Sequence, residues 1–343
     1  MSRNTFRKAL TELGLKSANC VAIDNIVDAQ AAYQKEKFAL VICEHVVNKD
    51  VTGLDFFSFI KTTNPDYARS IFFLISDENA LVVAAQAAEE DVDAVIARPF
   101  TMQSILDKVR AMVEEKAQPS EYRTKAIDAL KLLKAGDSAS ALRLSQSIHG
   151  LNPKPWLSSY VEGACHLAVA KYKEAEDCLK KGALTEPPHY RSAVQLSELL
   201  FEQKRFREAY DLCKIIAKFY PPSPKRIPRL VHLSIATGNF EEIAAFYDLY
   251  LDLPVTSPEI NKYVAAGLIV HAKHFLKSND TTSAASLLNK AARIGKTQPK
   301  ILKEVVLCLY KANLTTEATK LLAQCPDEVR KSPEVVAAES GRG

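Results

Sequence analysis

The chain has 343 residues, of which 47% are hydrophobic and 25% are charged. This balance is that of a globular protein with enough apolar residues for real cores, and it excludes collagen-like, disulfide-scaffold and wholly disordered classes. Residues 1–120 carry 13 Lys and Arg against 17 Asp and Glu, whereas the remainder carries 32 against 24. The change of sign predicts two units with different roles. A basic surplus spread over so long a surface is weak ground for nucleic-acid binding, which needs clustered charge, so we expect none.

The seven cysteines are an odd number, and none of them forms a Cys-x-x-Cys pair. Most of them lie in apolar runs, where a reduced cysteine packs as a small hydrophobe. This usage predicts a reducing compartment. The N-terminus is charged and has no apolar signal segment, and no uncharged apolar run approaches the ~20 residues that a membrane helix needs. We therefore expect a cytoplasmic protein with no membrane partner.

Short apolar runs alternate with amphipathic stretches in the first third of the chain. Strands are predicted at 20–23, 38–43, 70–76 and 93–97. Helices are predicted at 7–14, 28–37, 53–62, 80–91 and 101–113. Strands that alternate with helices of this length predict an α/β domain whose parallel sheet is covered on both faces.

The α/β pattern resembles the receiver domain of two-component response regulators, a flavodoxin-like doubly wound fold. The resemblance is carried by FALVICE followed by Gly53, by the strand that ends at Ser76, and by the turn Ala97-Arg98-Pro99-Phe100. It implies that Glu44 stands in the place of the phospho-accepting aspartate, that Ser76 is the retained hydroxyl, and that Arg98 replaces the lysine. We expect these three residues to form a degenerate phospho-site with no bound metal ion and no cofactor.

Phosphoryl transfer depends on positioning, and the Glu44 carboxylate lies one methylene further out than an aspartate, which spoils the in-line geometry. Arg98 keeps the positive charge but changes the donor geometry. Two interpretations stay open: Glu44 paired with Arg98 imitates a phosphorylated state, or the pair is a structural salt bridge or two solvated charges left by decay. Either way we expect no phosphorylation at residue 44.

The first strand of such a domain, with its metal-binding acidic pair, is missing from the pattern, because Met1 falls where that strand would have ended. In the family's 2-1-3-4-5 order this strand is central. Its loss leaves the predicted strands 20–23 and 38–43 to pair directly or to expose edges that invite a second chain. A homodimer through this domain is one outcome. A start codon further upstream that restores the acidic pair is another.

Beyond a charged Pro/Ser linker at 114–122, small residues and prolines recur every 34 residues. The two series are Ala141, Ala175 and Ala209, and Pro153, Pro187 and Pro221. Each unit has the pattern of a helix, a short break and a second helix, which resembles the tetratricopeptide repeat. Six units are predicted to start near Tyr122, Trp156, Tyr190, Pro224, Asn261 and Pro299. The fifth carries seven extra residues, which predicts a longer first helix. The expected domains are 1–117, 118–333 and a disordered tail at 334–343.

Stacked helix pairs form a solenoid whose first helices line a concave groove, and in the resembling family this groove holds a peptide or helix of a partner protein. The groove positions here are Tyr160, Ala164, Leu167, Val194, Glu198, Phe201, Lys225, Arg229, His232, Lys273, Lys303 and Tyr310. Lys225 and Arg229 match positions that grip a C-terminal carboxylate in chaperone-binding members, but Tyr160 and Ala164 stand where Lys and Asn would complete that clamp. The mixed aliphatic and basic groove favours an amphipathic or acidic segment.

No nucleophile elbow, Walker loop, dinucleotide loop or zinc-protease motif occurs in the chain, so we expect no enzyme. The predicted fold class is an α/β flavodoxin-like receiver domain without its first strand, followed by an all-α tetratricopeptide-repeat solenoid. The predicted function is that of a bacterial cytoplasmic scaffold or adaptor in two-component (phosphorelay) signal transduction, acting by protein–protein interaction. The alternative is a phosphorylatable response regulator whose true N-terminus restores the acidic pair and whose output passes through the repeats.

Overall fold

The computed structural model of the protein describes residues 2–48, 51–64, 66–77, 83–84, 87, 90, 92–117, 119–220, 226–251 and 258–340. These residues are mostly helical and include one three-stranded parallel sheet. The chain forms two compact units, one of Met1–Lys204 with Leu212–Pro221 and the other of Arg205–Asp211 with Pro222–Gly343. The first unit contains an α/β part and the first helix pairs, and the second unit is helical.

The α/β part follows the predicted alternation closely. Its elements are α1 (Ser2–Glu12), α2 (Ile26–Lys35), β1 (Leu40–Glu44), α3 (Gly53–Thr63), β2 (Ile71–Ser76), β3 (Ala94–Ala97) and α4 (Met102–Ala117). Three of the four predicted strands and the helices around them are thereby confirmed. Most of the helix predicted at 80–91 lies outside the described residues.

The sheet has the order β1-β2-β3, with all strands parallel. The central strand, β2, is buried at every position because helices cover both faces of the sheet. Its side chains alternate: Ile71, Phe73 and Ile75 pack with α1 and α4, whereas Phe72 and Leu74 pack with α2 and α3. The period of two along a strand produces this two-sided core.

The strand predicted at 20–23 is wrong. Residues 20–23 belong to no strand, and within the described residues only β2 pairs with β1. An extended segment becomes a strand only when its backbone groups have a hydrogen-bonding partner, and the neighbour that the 2-1-3-4-5 order would give residues 20–23 is missing from this sheet. The segment is tethered to α1 instead, because Arg7 donates a hydrogen bond to the Cys20 carbonyl at 3.3 Å and Arg3 forms an ion pair with Asp24.

From residue 121 the chain consists of helices in consecutive pairs. In the first unit these are α5 (Glu121–Lys134), α6 (Ser138–Ser147), α7 (Trp156–Ala168), α8 (Tyr172–Ala183), α9 (Tyr190–Glu202) and the later part of α10 (Phe206–Phe219), whose beginning belongs to the second unit. The first helices α7 and α9 start 34 residues apart. Gly163 of α7 allows a close approach to α8, since a Cβ there would lie 2.7 Å from Leu179 Cγ.

The second unit continues in the same manner. Its further helices are α11 (Ile227–Thr237), α12 (Glu241–Leu251), α13 (Pro258–Lys277), α14 (Thr281–Gly295), α15 (Pro299–Lys311), α16 (Thr315–Ala323), α17 (Asp327–Arg330) and α18 (Pro333–Glu339). At 20 residues, α13 is longer than the other first helices, as the seven extra residues predicted. The first helices of the six consecutive pairs are α5, α7, α9, α11, α13 and α15.

The turn inside each pair contains one residue in the left-handed backbone region. These residues have φ between 57° and 87° and are Gly136, Ala170, Lys204, Gly238, Asn279 and Asn313. Their spacing is 34 residues, except for 41 between the fourth and the fifth, which is the spacing of the small-residue series in the sequence. Glycine, which adopts this conformation without a steric cost, occupies only two of the six positions.

The disordered tail predicted at 334–343 is wrong over residues 334–339, which form most of α18. Val335 and Ala338 lie three residues apart, so they share one helix face, and both are buried. This face packs on α15 and covers apolar surface that the last pair would otherwise expose. Residues 341–343 lie outside the described part of the chain.

Within the described residues, no helix combines the length and the apolar character that crossing a membrane requires.

Candidate functional site

The carboxyl ends of the three strands meet at one edge of the sheet, because the strands are parallel. Glu44 ends β1 and lies opposite Ile75, while Ser76 ends β2 and lies opposite Ala97. Arg98 follows β3 directly, and its backbone N–H donates to the Ser76 carbonyl at 2.8 Å. The structure therefore places all three predicted phospho-site residues at the same edge.

Arg98 connects two carboxylates at this edge. One guanidinium nitrogen lies 2.5 Å from a carboxylate oxygen of Glu44, and the other lies 2.7 Å from a carboxylate oxygen of Asp77. Hydrogen bonds to Glu44 and then to Asp77 raise the pKa of Arg98 above its ordinary value. The guanidinium also lies 5.9 Å from the centre of the Phe100 ring. We call Arg98, Glu44 and Asp77 the carboxyl-edge bridge.

The bridge is accessible to solvent, since 31% of the Arg98 side chain and 43% of the Glu44 side chain are exposed. It does not include Ser76, whose buried hydroxyl lies 3.4 Å from the Asp77 carbonyl, to which it donates. Both carboxylates already accept from Arg98, so the bridge balances their negative charge with a cation from the chain itself. Such an arrangement neutralises acidic groups and leaves a hydroxyl beside them.

Sequence reasoning missed two residues at this edge, Asp77 and His45. Asp77 directly follows a predicted strand, and the rule that parallel strands end at one edge was the signal that could have found it. His45 follows Glu44 and is buried, and its Nδ1 has no hydrogen-bond partner in the described part of the chain. Burial lowers the pKa of this imidazole, while the charge of Asp55 opposes the shift.

A close backbone approach positions Glu44. Thr52 caps α3 through a reciprocal capping box with Asp55, which fixes the start of the helix against the end of β1. The Gly53 N–H then donates to the His45 carbonyl at 2.7 Å. A Cβ on Gly53 would overlap the Glu44 carbonyl oxygen and lie 2.6 Å from a Leu74 methyl carbon. A glycine at this position is therefore required by the packing.

The predicted groove residues all lie on first helices, apart from Lys225, which lies outside the described residues. They are Tyr160, Ala164 and Leu167 in α7, Val194, Glu198 and Phe201 in α9, Arg229 and His232 in α11, Lys273 in α13, and Lys303 and Tyr310 in α15. Except for Ala164, which is buried, each is half-buried or exposed. They are therefore placed on accessible helix surfaces, as a binding role needs.

Some of these residues interact with one another or with neighbours that the sequence did not single out. Burial, and then the charge of Glu198, raise the pKa of the Tyr160 phenol, which relates two predicted groove residues of the first unit. In the second unit, Lys273 forms an ion pair with Glu304 at 3.0 Å. The basic character expected at Lys273 is thus partly balanced by an acidic side chain of the next first helix.

A buried carboxylate inside the first pairs was also missed by sequence reasoning. Only 6% of the Glu162 side chain is exposed, and it contacts the imidazole of His149. The thiol of Cys178 donates to its other oxygen at 3.7 Å. Burial, followed by this negative charge, raises the pKa of Cys165 and Cys178 to about 11. These thiols are therefore protonated at neutral pH and are poor nucleophiles.

In the described part of the chain, no group of three or more His, Cys, Asp or Glu side chains is arranged to hold a metal ion. Comparison of the sequence with protein-family models found no matching model. A search of curated proteins found no match either.

Proposed function

We propose that the chain is a non-enzymatic signalling adaptor: a receiver-like α/β domain that is not phosphorylated, joined near residue 117 to a solenoid of six tetratricopeptide repeats. In this proposal the first helices form a groove that binds a segment of a partner protein. The setting is the bacterial cytoplasm and a two-component phosphorelay. The adaptor acts by bringing proteins together, so no bond is made or broken by its side chains.

The carboxyl-edge bridge carries the proposal. Where a receiver domain performs phosphoryl transfer, this chain has a glutamate already paired with an arginine, and the same arginine holds Asp77. An acidic group that accepts from a guanidinium is a weaker nucleophile, and Glu44 also carries the extra methylene that misplaces it for in-line attack.

The binding role is supported by the accessible first-helix positions. They combine aromatic and aliphatic side chains such as Tyr160 and Phe201 with charged ones such as Glu198 and Lys303. Interface centres are enriched in aromatic residues and surrounded by polar ones. An amphipathic segment with acidic residues fits this mixture, because it can bury an apolar stripe while pairing with the basic positions of the later pairs.

Phosphorylation can be tested directly with the full chain. We expect incubation with radiolabelled acetyl phosphate and Mg²⁺ to leave residue 44 unlabelled, both in the natural protein and in Glu44→Gln. A receiver domain of known activity serves as the positive control. Acid-stable label that disappears in Glu44→Gln, or an acyl phosphate mapped to residue 44, would contradict the proposal and favour the phosphorylatable response regulator.

The adaptor role is tested by capturing partners on the immobilised full chain and then mapping the contact by cross-linking and mass spectrometry. We expect the groove variants Glu198→Arg and Lys303→Glu to reduce binding of a captured partner about tenfold. The matched controls are Lys173→Glu and Lys320→Glu, which change exposed lysines on the second helices α8 and α16. Equal loss in control and groove variants, or cross-links only to second helices, would contradict groove binding.

A further inference from the structure

A tyrosine of the α/β part faces the helix pairs at the end of the sheet opposite to the carboxyl-edge bridge. Tyr67 begins a short 3₁₀ turn, Tyr67–Arg69, between α3 and β2, and thus lies at the amino end of β2. Its ring packs edge-on against Phe57 at 6.1 Å between centroids. This contact anchors the ring to the core of the α/β part, while the side chain stays half-buried.

Two cations from first helices approach this ring. The ammonium of Lys134, the last residue of α5, lies 3.5 Å from the Tyr67 hydroxyl, to which it donates, and 5.9 Å from the ring centre. Arg191, in the first turn of α9, is close enough for Tyr67 to act on its charge. A cation within about 6 Å of an aromatic ring is attracted by its negative face.

Arg191 extends the contact to a predicted groove residue. Its guanidinium lies 5.5 Å from the centre of the Tyr160 ring, and Tyr160 belongs to α7. Burial lowers the pKa of Arg191, and the nearby Tyr67 opposes that shift. The helices α5, α7 and α9 pack side by side, so Tyr67 meets one continuous surface, which we call the first-helix face.

Further polar contacts secure the junction around Tyr67. Across the linker, Arg123 of α5 forms an ion pair with Glu115 of α4. Lys116 forms a buried ion pair with Asp93 at 2.8 Å and also donates to the Ser70 carbonyl, next to the 3₁₀ turn. The end of α4 and the turn at Tyr67 are therefore tied to each other as well as to the helix pairs.

We propose that this is a self-docking contact: Tyr67 occupies the part of the groove formed by α5, α7 and α9, and a partner segment must displace it to bind there. The inference rests on the proposed groove function and adds a regulatory contact to it. The cations that hold Tyr67, Lys134 and Arg191, are the ones that an acidic or aromatic partner side chain would use. Docking and partner binding on this face therefore exclude each other.

Photo-cross-linking tests the contact without any partner. A benzoylphenylalanine at position 67 of the full chain should form adducts with peptides that contain Lys134, Tyr160 or Arg191. The same group at Val27, an exposed position of α2, serves as the control and should not label these peptides. Adducts of position 67 confined to residues 2–117 would overturn the proposal.

Hydrogen exchange then measures whether docking covers the first-helix face. In Tyr67→Ala and in Lys134→Met we expect amides in the first turns of α7 and α9 to exchange at least threefold faster than in the natural protein. Amides of α14 act as an internal reference, and Tyr172→Ala, at an exposed tyrosine of α8, is the matched control. Because Lys134→Met leaves the core of the α/β part intact, unchanged exchange in this variant would overturn the proposal even if Tyr67→Ala misfolds.

Competition separates this inference from the proposed function. For a partner whose cross-links map to α5, α7 or α9, Tyr67→Ala should bind at least threefold more tightly than the natural chain, whereas Tyr172→Ala should bind equally. Equal affinity of Tyr67→Ala and the natural chain would overturn self-docking while the adaptor function stands. If no partner binds the groove at all, the adaptor proposal fails, and the cross-linking and exchange results still decide whether Tyr67 docks.

Discussion

The guanidinium of Arg98 lies 2.5 Å from the carboxylate of Glu44, although 54 residues separate them in the chain. Their strands do not pair with each other, because β2 lies between β1 and β3. The bridge therefore spans the whole carboxyl edge of the sheet and joins its two outer strands. An ion pair placed in this way holds the edge together and at the same time occupies the carboxylate that phosphorylation would need.

The coupling between Glu44 and Arg98 can be measured by a double-mutant cycle with Glu44→Gln and Arg98→Met. Because both side chains are about a third or more exposed, solvent screens the pair, and we expect a coupling free energy of only about 0.5–1 kcal/mol. Urea denaturation of the four proteins gives this value. Asp77→Asn is the control, since 78% of the Asp77 side chain is exposed, and its coupling to Arg98 should be smaller. A coupling to Asp77 larger than that to Glu44 would show that Asp77 is the main partner of Arg98.

Gly53→Ala should destabilise the α/β part by about 1–3 kcal/mol, the usual cost of forcing an extra carbon into a packed core. The added Cβ meets the backbone oxygen of Glu44, which cannot move without shifting the end of β1. Gly150→Ala is the control because nothing lies within 4 Å of its Cβ position. Thermal unfolding followed by circular dichroism compares the two variants, and equal melting temperatures would show that the end of β1 gives way easily.

Ala170→Gly should stabilise the chain, which is unusual for a glycine substitution. Ala170 has φ of 57°, a conformation that costs a residue with a Cβ roughly 1–2 kcal/mol. Part of this gain is lost to the greater freedom of glycine in the unfolded chain, so we expect a net gain of about 0.5 kcal/mol. Ala168→Gly, two residues earlier at the end of α7, is the matched control and should be destabilising. Denaturant midpoints of the two variants should move in opposite directions.

Glu162→Gln should lower the free energy of unfolding by about 1–3 kcal/mol, because it removes a buried charged acceptor from the side chains packed around it. The affected partners are His149 and Cys178. Glu174→Gln, at an exposed glutamate of α8, is the control and should be nearly neutral. Urea denaturation at pH 7 compares the variants, and equal effects of the two substitutions would show that the Glu162 cluster contributes nothing to stability.

Stability should fall between pH 6.5 and pH 4. Burial lowers the pKa of His189 from 6.5 to about 4, and it also lowers the pKa of His45 and His271. In this window the unfolded chain binds more protons than the folded chain, so stability is full above pH 6.5 and is lost as the pH falls. For His189 alone the loss is on the order of 3 kcal/mol.

The contribution of His189 is tested by urea denaturation of His189→Gln at pH 7.5 and at pH 5. The difference in stability between the two pH values should be smaller than in the natural protein, because the variant has no imidazole to protonate at this position. His232→Gln, at an exposed imidazole, is the control and should leave the difference in place. An unchanged difference in His189→Gln would contradict the assignment.

Several local features of the fold could be predicted from the sequence. The strands at 40–44, 71–76 and 94–97 match apolar runs, and α7 and α9 begin at the predicted Trp156 and Tyr190. Hydrophobic period and turn residues are local properties, so they are legible without knowledge of any distant contact. For the same reason the short helix at 333–339 was missed, because its single apolar face is formed by only two buried residues.

The sequence by itself thus determined which stretches are helices and strands, and it placed Glu44, Ser76 and Arg98 at strand ends. Only the tertiary structure decided that residues 20–23 stay out of the sheet, that Arg98 holds Asp77 together with Glu44, and that Tyr67 meets Lys134. Each of these depends on groups far apart in the chain. A backbone or charged side chain takes the partner that packing brings within hydrogen-bonding distance, and no local pattern specifies that partner.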